Sequence, residues 1–273
     1  MILKLANVDA CQPADSLYLT VNDDVCSSEI GVRRLHRVPL QDTAEKQGQS
    51  AIGTRRALNY LTLSMVPPAV STWGGRRNSS GRTSDYLSLS QAANIIAAAR
   101  FAVAIGLPFN RHVTIHWQHA GVPDERAAWA TGRFIKLASD WISKRGGQIA
   151  WVWVRENGDS KGSHVHILLH LPMDVRLGHI QRRWLRTITG QAYKPRTIKT
   201  VRIGGAVRAA QFAPAVYHAN LAAVAGYILK GASPTAARSL GLNRLEAGGR
   251  IIGKRAATSQ NIGAAARERH GPS

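Results

Sequence analysis

Apolar and polar positions follow no sustained period over residues 1–84, but from Asp85 onward the chain reads as alternating elements. Ser88 or Ser90 stands before an apolar run that ends near Gly106, which predicts a capped helix. Residues 112–117 (HVTIHW) carry β-branched side chains and predict a strand. Pro123, Asp124 and Glu125 suit a first helical turn. That helix is expected to reach about Lys144, with Trp129, Phe134, Leu137, Ala138 and Trp141 as its apolar stripe. Residues 150–156 (AWVWVRE) and 164–171 (HVHILLHL) flank the polar loop NGDSKGS and read as a hairpin. A helix over about 173–188, a strand over 196–203 and a helix over about 213–230, closed by Gly231, complete the pattern.

This order of elements predicts an α+β domain, an antiparallel sheet with helices on one face. Three regions are expected: an N-terminal region over 1–84, partly flexible and ending in a basic linker at 74–84; a catalytic domain over 85–232; and a basic C-terminal tail over 233–273. The N-terminal region carries no pattern that assigns it a role.

Charge narrows the class of partner. The chain has 36 Lys+Arg against 16 Asp+Glu, a net charge of +20, which suits a nucleic acid whose condensed counterions basic side chains displace. The two cysteines, Cys11 and Cys26, form no CxxC pair and support neither a zinc finger nor a disulfide framework. The first residues lack the basic start and long apolar run of a signal peptide, and the apolar stretch at 92–107 is too short to span a bilayer. A cytoplasmic protein without a membrane partner is expected.

The chemistry concentrates in the hairpin. Residues two apart on a strand face the same side, so His164 and His166 project together while Val165 and Ile167 turn towards the core. With a loop of 157–163, Glu156 lies across from His164, where cross-strand neighbours are about 5 Å apart. Two imidazoles and a carboxylate leave coordination positions open for phosphate oxygens; such mixed ligation suits Mg²⁺ or Mn²⁺, with Zn²⁺ chemically possible. His170 shares the parity of the pair but lies too far along the strand to join it.

Near the end of the helix at 213–230, Tyr227 and Lys230 are three apart and so share a helical face. A tyrosine hydroxyl can attack a phosphodiester and hold the cut end as a phosphotyrosine. Free tyrosine titrates near about 10, and a neighbouring cation favours its phenolate. Lys230 is placed to supply that effect or to hold the scissile phosphate.

A strand (HVTIHW), a strand ending in Glu, a Gly-containing turn and His-hydrophobic-His (WVWVRENGDSKGSHVHILLHLP), then a helical YxxK (YILK), resemble the HUH endonucleases. Within them the closest resemblance is to single-tyrosine rolling-circle replication initiators of bacterial plasmids and phages. The resemblance spans residues 110–231. It implies a ferredoxin-like or RRM-like domain with the histidines on a central strand and the tyrosine on a facing helix. It implies nicking and rejoining of single-stranded DNA at an origin hairpin through a 5′-phosphotyrosine. Carried over, His164, His166 and Glu156 are metal ligands, Tyr227 is the nucleophile and Lys230 its helper. Host helicase and polymerase are further implied partners. His112 and His116 depart from the family, which has apolar or hydroxyl residues there, and are expected at the strand edge. No Walker A motif occurs, which argues against a nucleotide-driven helicase in this chain.

Candidate DNA contacts are Arg182, Arg183 and Arg186, with Trp184 among them to stack an unpaired base, then Arg196, Lys199 and Arg202 on the next strand. Arg250, Lys254, Arg255, Arg267 and Arg269 suggest nonspecific affinity in the tail. Two alternatives stand beside the initiator: a single-tyrosine transposase or mobilisation relaxase using the same chemistry, and a non-catalytic DNA-binding protein.

Overall fold

The structure, a computed structural model, describes residues 81–206 and 208–271; both cysteines and most of the N-terminal region and its linker lie outside the described residues. In chain order the elements are β1 (Thr83–Ser84), α1 (Leu89–Ala104), β2 (Arg111–His116), α2 (Asp124–Ser143), β3 (Trp151–Gly158), β4 (Gly162–Leu169), α3 (Ile180–Thr189) and β5 (Ile198–Arg202). There follow α4 (Ala209–Phe212), α5 (Pro214–Ile228), α6 (Pro234–Leu240), β6 (Ile251–Ile252), β7 (Ala256–Thr258), a 3₁₀ turn (Gln260–Ile262) and α7 (Ala264–His270).

Local signals start several of these where expected. Ser88 Oγ accepts from the Gln91 backbone N–H while Gln91 Oε1 accepts from the Ser88 N–H, a capping box that opens α1. The hairpin register is the expected one: Glu156 pairs with His164, Val154 with His166 and Trp153 with Ile167. The strands run two residues further on each side than read from the sequence, to Gly158 opposite Gly162, which shortens the turn from seven residues to three.

A five-stranded antiparallel sheet has the order β5-β2-β4-β3-β7. Its two faces are read off the alternation. Val113, Ile115, Trp153, Val165, Ile167 and Leu169 turn to one side and pack against Phe134 and Ala138 of α2 and Trp184 and Leu185 of α3. Val152, Val154 and Leu168 turn to the other and pack against Ile95 and Ala99 of α1, Leu221 and Ile228 of α5, and Ala236 of α6. Helices therefore cover both faces, not one. The expected single layer holds for the helices connecting β2 to β3 and β4 to β5; the second layer is built by segments on either side of that unit.

The C-terminal boundary also moves. Residues 233–273 were expected as a tail, yet β7 forms the edge strand beside β3, β6 pairs with β1, and Ile251, Ile262 and Ala266 are buried. These elements are too short to bury an apolar face alone, so their sequence carries little periodicity and they form only against the rest of the domain. Smaller differences occur elsewhere. Helix α3 starts at Ile180 rather than near 173, because 172–179 makes turns that sink Val175 and Leu177 into the core. Trp129 is 49% exposed beneath Arg126, and Ala127, Ala130 and Ile135 line the buried face of α2 in its place.

Candidate metal centre

The sheet face that carries His112, Thr114, His164, His166 and Glu156 is filled by apolar contacts at one end and by these polar side chains at the other. Glu156 Oε2 lies 3.4 Å from His164 Nε2 and 3.8 Å from His166 Nε2. All three residues are buried. One ligand atom from each lies within 4.8 Å of the others.

Backbone geometry fixes one of the imidazoles. His164 Nδ1 is 2.8 Å from the Gly162 carbonyl oxygen, which can only accept; Nδ1 therefore carries the proton and Nε2 turns a bare lone pair towards Glu156. The carbonyl is held in place because Gly162 adopts a φ of +59°, where a Cβ would stand 2.0 Å from Gln118 Oε1. That oxygen in turn accepts from the Ser163 N–H. A loop residue and a glycine thus aim the ligand.

Glu156 Oε1 and His166 Nε2 are buried with no hydrogen-bond partner. Leaving such groups unsatisfied costs about 1–3 kcal/mol each, so two together at a two-imidazole, one-carboxylate cluster fit a ligand that accepts lone pairs. The cluster could hold a metal ion through Glu156, His164 and His166, with coordination positions left open for further ligands. No helix among the described residues is long and apolar enough to cross a membrane.

Charge around the cluster is arranged in pairs. Lys230 Nζ is 2.8 Å from Glu156 Oε2 and 2.8 Å from Glu246 Oε2, and Arg244 closes the chain on Glu246. Burial works to raise the Glu156 carboxyl, but the nearby His164 and His166 and the Lys230 ammonium outweigh it and hold it well below the usual carboxylate range. Burial likewise pulls Lys230 down, while its two carboxylate partners hold it above its ordinary value. Lys230 stands beyond the end of α5, not on its face, and its ammonium serves Glu156 and Glu246 as well as Tyr227.

Tyr227, in the last turn of α5, faces this cluster. Its ring centre is 5.1 Å from that of His166 and 6.1 Å from that of His112, and the Lys230 ammonium and the Arg244 guanidinium each lie 5.2 Å from it. Burial pushes the phenol above its ordinary value; the pull of Lys230 and Arg244 is opposed by Glu156 and Glu246. The cation expected to favour the phenolate is present, but it does not outweigh burial and the two carboxylates. Tyr217 is buried, with its hydroxyl donating to the Phe109 carbonyl, and takes no part. His170 bonds the Pro108 carbonyl, outside the cluster as expected.

His112 and His116 are not at an edge: β2 lies between β5 and β4. His112 Nε2 is 3.2 Å from His166 Nδ1, and His116 stacks on His164 at 5.4 Å between ring centres. The i, i+2 spacing of 112, 114 and 116 put them on one face, but the sequence did not show which strand β2 would meet. Glu246 and Arg244 were missed outright, because nothing in NRLEAGGR marks a return to the site.

The candidate DNA contacts divide. Trp184 is buried against Phe134 and Trp141, so it packs the core and cannot stack a base. Arg182, Arg183 and Arg186 are exposed on α3, in the layer behind the sheet. Arg196 is exposed with a φ of 64°. Lys199 pairs with Thr114, which pairs with His166, so its parity brings it to the site face. Arg255 is buried with its guanidinium on the carbonyls of Ser84 and Gly249, and Arg267 bonds Asn94 and the Ile262 carbonyl; both are structural rather than tail charge.

Comparison of the chain with family models, curated proteins and solved structures finds no match in any of the three.

Proposed function

We propose that this protein is a metal-dependent endonuclease and strand transferase of the HUH kind, which nicks and rejoins single-stranded DNA as a rolling-circle replication initiator. The observation that carries the reading is the pair of unpartnered buried ligand atoms, Glu156 Oε1 and His166 Nε2, beside the ring of Tyr227. A buried His₂Glu set facing a phenol is hard to account for in a protein that only binds DNA. The β-α-β-β-α-β unit from β2 to β5, with its inner order β5-β2-β4-β3, supports the ferredoxin-like arrangement expected from the resemblance.

In this reading His164, His166 and Glu156 hold Mg²⁺ or Mn²⁺. When bound, the ion polarises the phosphoryl oxygens and offsets the charge that grows on them. The Tyr227 oxygen attacks the phosphorus and forms a P–O bond. The bond from phosphorus to the 3′ oxygen breaks, the proton lost by the phenol ends on that oxygen, and the 5′ end stays on the tyrosine. The free 3′ hydroxyl reverses the step to rejoin the strand. Lys230 steadies Glu156 and lies within reach of the phenol. The net charge of +20 and the exposed Lys199 and Arg196 suit the phosphate backbone of the substrate.

The test is adduct capture. The full chain is incubated with Mn²⁺ and a random pool of single-stranded oligonucleotides, and products are resolved on denaturing gels. The expected result is a covalent adduct in which a DNA 5′ phosphate is attached to Tyr227, and none with Tyr227→Phe. An adduct that persists in Tyr227→Phe overturns the nucleophile. The absence of any adduct with the wild-type chain overturns the enzyme.

A further inference from the structure

His166 differs from His164 in how its ring is held. His164 is aimed by a backbone carbonyl, which can only accept. His166 Nδ1 instead faces two side chains on β2: Thr114 Oγ1 at 3.1 Å and His112 Nε2 at 3.2 Å. Both approach from the strand behind the ring, while Nε2 points to Glu156. The rings of His112, His166 and Tyr227 touch edge to face or tilted, with centres 5.3, 5.1 and 6.1 Å apart.

A neutral imidazole carries a single ring proton. If His112 Nε2 carried a proton and donated it, His166 Nδ1 would be the acceptor, its proton would sit on Nε2, and no lone pair would face Glu156. If His112 Nε2 is bare, it accepts from His166 Nδ1–H and Nε2 of His166 is left free to bind a cation. The two histidines are therefore coupled: a single choice of tautomer at His112 decides whether His166 can be a ligand.

We propose that His112 is a positioning residue, which accepts from His166 Nδ1–H and so presents the bare Nε2 of His166 to the metal while its ring braces Tyr227. This rests on the metal-centre reading above and adds a role that a strand-edge histidine would not have. Thr114 is the second acceptor and shares the same proton. Outer partners of metal-bound histidines commonly change affinity by about 10–100-fold, because they set both ring orientation and ligand basicity.

The test uses the full chain and two readouts that need no DNA. The first is ¹⁵N NMR of the metal-free wild-type protein, with His166 assigned by comparison with His166→Gln. The expected result is a protonated Nδ1 and a bare Nε2 at His166; the reverse tautomer overturns the proposal. The second is Mn²⁺ affinity by titration calorimetry. His112→Phe keeps a ring and loses the acceptor, and is expected to bind Mn²⁺ about 10–100-fold more weakly with an unchanged circular dichroism spectrum. His112→Gln restores an acceptor near the same place and is expected to recover most of the affinity. Equal affinity in His112→Phe and wild type overturns the proposal, as does a loss of the same size in both variants, which marks a packing role. His164→Ala is the control for the centre itself: if it binds Mn²⁺ like wild type, the metal reading fails, whatever His112 does.

Discussion

Glu156 and Lys230 form a buried ion pair, with 2.8 Å between Oε2 and Nζ, that ties strand β3 to the turn leaving α5. The same turn follows Tyr227, so the pair sets the distance between the imidazole cluster and the phenol. Removing one partner strands the other charge in a poorly solvated place. Lys230→Met is therefore expected to destabilise the metal-free protein by about 3–5 kcal/mol. Saturating Mn²⁺ should recover part of the loss, since a cation at Glu156 compensates the carboxylate and binds only the folded state. Urea unfolding with and without Mn²⁺ checks this. An unchanged midpoint in the metal-free variant removes the pair from any structural role.

Glu156→Gln keeps the shape and removes the charge. Mn²⁺ affinity should fall by at least the about 10–100-fold that loss of an outer partner costs, because here a direct ligand is altered. Adduct formation at limiting Mn²⁺ should fall with it. Lys230 keeps Glu246, so the fold should persist. Calorimetric titration gives the affinity, and a variant that binds as the wild type does excludes Glu156 from the ligand set.

Behind the sheet, Asp124 at the start of α2 holds three elements together. Its carboxylate accepts from Arg155, from Ser163 Oγ at 2.6 Å and from the Ile252 N–H at 2.6 Å. Arg155 is fully buried and also donates to the Ile252 carbonyl at 2.9 Å. Asp124→Ala leaves that guanidinium uncompensated, and a loss of about 3–5 kcal/mol is expected. The displaced neighbours are Ser163 and Arg155, adjacent to two of the proposed ligands, so Mn²⁺ affinity should weaken as well. Denaturant midpoints and a metal titration on the same sample separate the two effects.

How much of this could be read from the chain follows the range of each signal. Alternation over AWVWVRE and HVHILLHL, with a polar turn between, fixed the hairpin and put Glu156 opposite His164, because hairpin pairing depends on neighbours in sequence. The contact of β2 with β4 needed a partner 52 residues away for Thr114, and alternation cannot choose among partners, so His112 was read as peripheral. Trp184 followed the same logic: an indole among arginines looks like a stacking platform until helix α3 turns that side to the core. The C-terminal segment was the least legible. Its strands of two and three residues carry no period, and Glu246 reaches Lys230 only because Gly249, at φ +66°, lets the loop pass against the Asn157 carbonyl.

The histidines also predict an acid sensitivity of the metal-free protein, with a definite sign. Burial, reinforced by His166 and Lys199, pulls His112 from an ordinary 6.5 down to about 3. Burial, then His164 and other neighbouring cations, pulls His116 from 6.5 down to about 4. Between those values and 6.5 the unfolded chain binds protons that the folded chain does not, so folding stability rises with pH through that window and is lost as pH falls. Glu156, held below its ordinary 4.5, acts in the same direction at the lower end: its contribution is complete above 4.5 and disappears in stronger acid. Each unbalanced proton contributes a slope of about 1.4 kcal/mol per pH unit. Urea unfolding of the metal-free chain between pH 5 and 8 should show stability nearly flat above 7 and falling below 6.5. In His112→Phe the fall over the same range should be shallower, by up to the slope of one proton. If wild type and variant lose stability in parallel, His112 is not the neutral, half-buried imidazole that its packing against His166 and Tyr227 requires.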